Sequence, residues 1–111
     1  MLDDVGSIVA PDRSAKGFED ISQGRATWPW AWYASRGDDV SVRRLMQRTA
    51  TSSADEHRAI METLALAVGE YGRECAHTHL AQTIAHLEPF ANAATLEALR
   101  TEIARLEASY G

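Results

Sequence analysis

Ser53-Ala-Asp-Glu56-His-Arg-Ala-Ile60-Met-Glu-Thr-Leu64-Ala-Leu-Ala-Val68 is the stretch that decides the fold class. A hydroxyl at Ser53 with Glu56 three residues on has capping-box spacing, in which each side chain satisfies a backbone N–H that a helix start leaves without a partner. Ile60, Leu64, Val68, Tyr71 and Cys75 then recur at steps of three and four, the period of one helix face. The pattern extends through Leu80 and Ile84 to Leu87, and Pro89 forces an end. Gly69 and Gly72 either weaken the middle of this helix or permit close packing against it.

Similar patterns lie on both sides of this stretch. Leu96, Leu99, Ile103, Leu106 and Tyr110 lie at 3-4-3-4 spacing, which predicts a helix over about 94–109 with a one-sided apolar stripe. The stripe is read as packing within the chain, with a homodimer seam as the alternative. Val40 to Arg48 predicts a short helix with Val42, Leu45 and Met46 at helical spacing and Arg43, Arg44 and Arg48 on a solvated face. Thr27 suits an N-cap and Pro29 a first turn, so a helix is expected from there to about Ser35, ended by Gly37. Trp28, Trp30 and Trp32 have no basic residues interleaved and read as core or bundle-interface aromatics instead of a base-stacking platform. Residues 1–9 predict a helix that Pro11 stops by about Ala10. Residues 10–26 are polar, with Gly17 and Gly24 as breakers, and read as a functional loop holding at most a short turn. No strand-like alternation occurs, and the expected class is all-α.

The 111 residues allow one domain at most, and 45% hydrophobic with 24% charged residues is ordinary for a soluble globular chain. A net charge of −5 argues against a general nucleic-acid binder, which needs clustered positive charge. No apolar run reaches the roughly 18 residues of a spanning helix. The first residues carry acids where an export signal needs basic ones. Cys75, the one cysteine, has no partner for an internal disulfide, which fits a reducing cytoplasm. His77 and His79 lie two apart and so point to different helix faces; Cys75 and His79 share a face, but two ligands do not make a zinc site.

Chemistry concentrates near the start. Asp3 and Asp4 precede Lys16-Gly-Phe-Glu-Asp20-Ile-Ser-Gln-Gly24-Arg25-Ala-Thr27, and Lys16 is the only lysine beside ten arginines. Paired carboxylates near a lysine and an arginine suit a divalent cation that bridges to a phosphorylated ligand. Mg²⁺ is commonly held by one or two carboxylates together with phosphate oxygens, while Lys and Arg neutralise the remaining phosphate charge.

This arrangement resembles the second aspartate-rich motif of the trans-isoprenyl diphosphate synthases, the polyprenyl synthetase family. There D-D-x-x-D is followed by Lys, then Asp-[Ile/Leu] four residues later, then Gly-[Lys/Arg]. Asp3-Asp4, Lys16, Asp20-Ile21, Gly24-Arg25 and Thr27 match in type and spacing over about 28 positions, and Trp28-Pro29-Trp30 is similar to the start of the next family helix. The resemblance implies the C-terminal part of an isoprenoid-synthase-type helical bundle. Residues 1–9 would end the motif-bearing helix, 10–26 would form the diphosphate-site loop, and 27–111 would supply bundle helices. It also implies Mg²⁺-dependent ionisation of an allylic diphosphate, with isopentenyl diphosphate as the attacking partner. Asp3 would bind the metal with Asp4 supporting it, Lys16 and Arg25 would contact the diphosphate, and Asp20 would act from behind them. Metal and cations then stabilise charge developing on the leaving group.

Two departures bear on this expectation. Ser7 stands where the motif has its last aspartate, one turn after Asp3, which leans toward an atypical member such as a terpene-cyclase-like relative. The family's first aspartate-rich motif and its isopentenyl diphosphate site lie upstream of the matched region. Met1 is therefore expected to be an internal methionine of a longer sequence, and the chain alone to be incomplete for turnover. Leu2, Val5 and Ile8 are then expected to be exposed, and the chain to dimerise or to serve as a non-catalytic partner subunit of a full-length synthase.

Overall fold

One helix of 34 residues, Ala54–Leu87, forms the spine of the molecule. The computed structural model describes residues 1–37, 39–49 and 51–110. At 1.5 Å per residue the spine is about 51 Å long, matching the longest dimension of the chain, 52 Å. In order the elements are α1 (Leu2–Val9), a 3₁₀ turn (Pro11–Arg13), α2 (Ser14–Ser22), α3 (Trp28–Arg36), α4 (Asp39–Thr49), α5 (Ala54–Leu87) and α6 (Ala93–Tyr110). No strand occurs among the described residues, and the fold is all-α.

The spine starts where its capping residues predict. The Glu56 N–H donates to Ser53 Oγ at 3.3 Å, and the Ser53 N–H donates to Glu56 Oε2 at 2.7 Å. It ends two residues before Pro89, which has no N–H to continue the helical hydrogen-bond ladder.

The first half of the spine carries the core. Ile21, Trp30, Ile60 and Leu64 form one buried cluster, and Val5, Trp32 and Val68 form a second; Ile8 and Tyr33 pack against both. Of the two expectations for the spine glycines, close packing is the one realised. A Cβ on Gly72 would stand 2.4 Å from Cζ3 of Trp32, and one on Gly69 would stand 2.7 Å from a Val9 methyl. Trp30 and Trp32 are thus core residues, as expected, while Trp28 remains 46% exposed and stacks on Trp32 with ring centroids 5.7 Å apart. Tyr71 and Cys75, which share the periodicity, lie at the edge of the core and are not enclosed by it.

Three expectations are corrected. Residues 10–26 are mostly helical, with only 10 and 23–26 outside the 3₁₀ turn and α2. Gly17, read as a breaker, lies where α2 crosses α1: a Cβ there would come within 2.1 Å of the Ser7 carbonyl oxygen. Tertiary packing at this crossing outweighs the roughly 1 kcal/mol that glycine costs a helix. The third correction is Val5, expected to be exposed; it is 1% exposed in the second core cluster, and Leu2 and Ile8 are half-buried.

Past Ala76 the packing thins. Ile84 on α5 and Leu96 on α6 are buried, while Leu99, Ile103, Leu106 and Tyr110 are half-covered, so the stripe packs within the chain on one side only. Leu66 and Phe90 are 90% and 87% exposed. Among the described residues no helix is long and apolar enough to cross a membrane.

Candidate functional site

The α1–α2 crossing brings two of the predicted residues, Asp3 and Lys16, together. Because Gly17 lets the two backbones touch, Lys16 beside it reaches Asp3, and the Lys16 ammonium pairs with Asp3 Oδ2. Arg13 Nη1 meets the other oxygen of the same carboxylate at 3.3 Å. Arg13 and Lys16 are three residues apart, the spacing that puts two side chains on one helix face. One carboxylate therefore holds two cations, all three roughly a third to a half exposed. Pairs this open to water contribute at most about 1 kcal/mol to stability, so the cluster adds little to the fold.

Asp20 lies one turn beyond Lys16, on the same side of α2. Its side chain is only 8% exposed, and Arg25 Nη1 donates to its Oδ1 at 2.8 Å. The chain path brings these two residues together. Gly24, at φ +63°, ends α2 in the left-handed conformation. The Gly24 N–H donates to the Ile21 carbonyl at 3.0 Å and the Arg25 N–H to the Asp20 carbonyl at 2.9 Å. This is the double closure of a Schellman motif, and it folds Arg25 back over the residue whose side chain it also contacts. The Gly24-Arg25 pair thus has a conformational role. Asp20 sits behind Arg25 and orients it, while Arg25 stays 53% exposed and also lies 3.6 Å from Glu19.

Asp4 is engaged elsewhere. Its Oδ2 accepts the Trp28 N–H at 3.3 Å, placing a carboxylate on the positive N-terminus of α3. Thr27 occupies the N-cap position but makes no side-chain capping bond, so the acid on α1 takes that part. Asp3 and Asp4 therefore have different partners. Ser7 is 3% exposed under α2 and donates its hydroxyl proton to the Asp4 carbonyl at 2.7 Å. The Ser7 position is closed by the α1–α2 crossing.

Sequence reading missed Arg13 and the Asp4–α3 contact. The signal for Arg13 was its i, i+3 spacing to Lys16; nothing local pointed from Asp4 to Trp28, 24 residues away. His57 was also missed: it is buried, its Nε2–H donates to the Thr49 carbonyl at 2.8 Å, and Phe18 packs edge-on to its ring. The Thr49 bond ties α4 to the spine, and the Phe18 contact ties α2 to it. His77 pairs with Glu107 of α6 at 2.8 Å.

Among the described residues no three His, Cys, Asp or Glu side chains are grouped to hold a metal ion. The donor chemistry nonetheless fits a shared Mg²⁺, since that ion needs only one or two carboxylates when phosphate oxygens complete its shell. Charge points the same way. Asp3, Asp4, Glu19 and Asp20 are four negative charges against three positive ones on Arg13, Lys16 and Arg25, a net of −1. Such a patch does not attract a diphosphate unaided, whereas a divalent cation would make it net positive. An apolar groove of about 490 Å³ opens beside Asp4, walled by Trp28, Trp30, Ala34 and Met46. Comparison of the chain with family models, curated proteins and solved structures gives no match, and the site is described by its own geometry.

Proposed function

We propose that the chain carries one half of a Mg²⁺–diphosphate site of the isoprenyl diphosphate synthase type, within an isoprenoid-synthase-type helical bundle. The observation that carries this reading is the meeting of Asp3 with Lys16 and Arg13 across the α1–α2 crossing, one turn of α2 from the Asp20–Arg25 pair. Asp3 would hold Mg²⁺, with Asp4 available through its second oxygen. When bound, that ion supplies charge stabilisation to the departing diphosphate. Lys16 and Arg13, released from Asp3, turn to phosphate oxygens, and Arg25 does so from its Asp20 support. The substrates on this reading are an allylic diphosphate and isopentenyl diphosphate. On this reading the isolated chain would bind diphosphate without turning substrate over.

A second reading, a non-catalytic partner subunit of a full-length synthase, is favoured by the exposed Leu66 and Phe90. Titrating inorganic pyrophosphate into the chain with and without Mg²⁺ tests the first. Binding should require Mg²⁺, and Lys16→Ala should weaken it about tenfold or more, the scale of one hydrogen bond to a charged group. Pyrophosphate binding that ignores Mg²⁺ or Lys16 would remove the proposed site. Prenyl transfer by the chain alone would show that it is not half a site.

A further inference from the structure

The C-terminal helix reaches back to the site. Tyr110, the last residue of α6, lays its ring under the Arg13 guanidinium with 3.8 Å between the guanidinium carbon and the ring centroid. Gly6 makes room for it, since a Cβ there would stand 2.7 Å from Cδ1 of Tyr110 and 3.3 Å from Cδ of Arg13. One turn earlier, Glu107 is tied to His77 of the spine at 2.8 Å, fixing the end of α6 at this place. Arg13 is therefore gripped from two sides, by the Tyr110 ring and by Asp3 at 3.3 Å. We infer that Tyr110 is a positioning residue, holding Arg13 beside the α1–α2 crossing so that its guanidinium is in place for a phosphate group. The inference rests on the diphosphate reading above and adds to it a dependence on the docking of α6, 97 residues of chain away from Arg13.

The physical basis is specific to the ring. A guanidinium over an aromatic face gains electrostatic attraction that an aliphatic side chain of similar bulk does not supply. Without it a half-exposed arginine spreads over many rotamers, and ordering it again weakens ligand binding.

Two measurements on the full 111-residue chain, after circular dichroism has shown each variant to be folded, test this. In ¹⁵N-resolved NMR the Arg13 Nε–Hε signal, assigned by its loss in Arg13→Lys, should carry a ring-current shift in the wild type and in Tyr110→Phe but not in Tyr110→Leu. In calorimetry with Mg²⁺ and inorganic pyrophosphate, Tyr110→Leu should bind about two- to fivefold more weakly, the scale of an exposed cation–π contact, and Tyr110→Phe should match the wild type. Equal binding by wild type and Tyr110→Leu, or no ring-current shift in the wild type, overturns the inference while leaving the diphosphate site standing. A wild-type chain that shows the shift yet binds no pyrophosphate overturns the diphosphate reading, and with it any role for Tyr110 beyond packing.

Discussion

The two halves of the spine are built from similar residues and differ in what lies against them. From Ala54 to about Cys75, α5 meets α1, α2 and α3, and its small residues let Val9 and Trp32 press onto its backbone. From Ala76 onward its neighbour is α6, held by Ile84, Leu96 and the His77–Glu107 and Arg100–Glu88 pairs. An open groove of about 360 Å³ runs between these two helices. The same helical periodicity thus produces a closed core in one half and a one-sided seam in the other. A helix face becomes core only where enough neighbours arrive to cover it, and the number of neighbours is not encoded in the face itself.

The comparison breaks most readily on aromatic truncations. Trp30→Ala in the front half should cost about 3–5 kcal/mol, since it removes a large buried side chain from a packed cluster. Phe90→Ala at the far end should change stability by less than about 0.5 kcal/mol, because its ring is already in water. Urea unfolding of both variants measures the contrast. Similar losses would mean that Phe90 is covered and that the seam is as well packed as the core.

The same contrast explains what was legible in the sequence. Capping chemistry and periodicity located the spine, both of its ends and the helix at the C-terminus, because those signals are local. They did not reveal that Val5 is covered or that Tyr71 lies at an edge, since both depend on which helices meet. The α2 helix was hidden by Gly17, whose role exists only at the crossing with Ser7. At the candidate site, Asp3, Lys16 and Arg25 could be named from residue type, and Asp20 from the family resemblance. Their grouping into an Asp3–Arg13–Lys16 cluster and an Asp20–Arg25 pair could not, because the first needs the α1–α2 crossing and the second the left-handed turn at Gly24.

Gly17→Ala sharpens the comparison at smaller scale. In an exposed helix this change adds up to about 1 kcal/mol of stability through propensity. Here the new methyl meets a backbone carbonyl that has no rotamer to move aside, and overpacking of this kind costs about 1–3 kcal/mol. A net loss of stability is expected. Because the crossing also sets the approach of Lys16 to Asp3, the variant should weaken pyrophosphate binding as well. A chain stabilised by the alanine, by thermal or urea unfolding, would show that α1 and α2 do not touch at this point.

The smallest effect concerns acid, and it distinguishes the start of the spine from α6. Glu56 at the start of the spine is held below its ordinary pKa of 4.5, chiefly by the hydrogen bond from the Ser53 backbone and then by the Ser53 side chain, with Arg48 adding a smaller attraction. Glu102 on α6 is likewise lowered, by its hydrogen bonds with Arg105 one turn away. A carboxyl lowered in the folded state contributes stability that is present in full above its unfolded pKa and is lost as pH falls through the folded value. Both contributions should therefore fade below about pH 4.5 as the acids gain protons. Their consequences differ, because the Glu102–Arg105 pair closes within one helix turn and holds no neighbouring element. Glu56 caps the spine beside His57, whose ring bond to Thr49 joins α4 to α5. Amide exchange at acid pH should accordingly rise at residues 54–57 and in α4 when the cap is lost. Glu56→Gln, which keeps an oxygen acceptor but cannot be protonated in this range, should flatten that response, whereas Glu102→Gln should leave α4 unaffected. An acid response in α4 that persists unchanged in Glu56→Gln would show that the capping box does not couple the two helices.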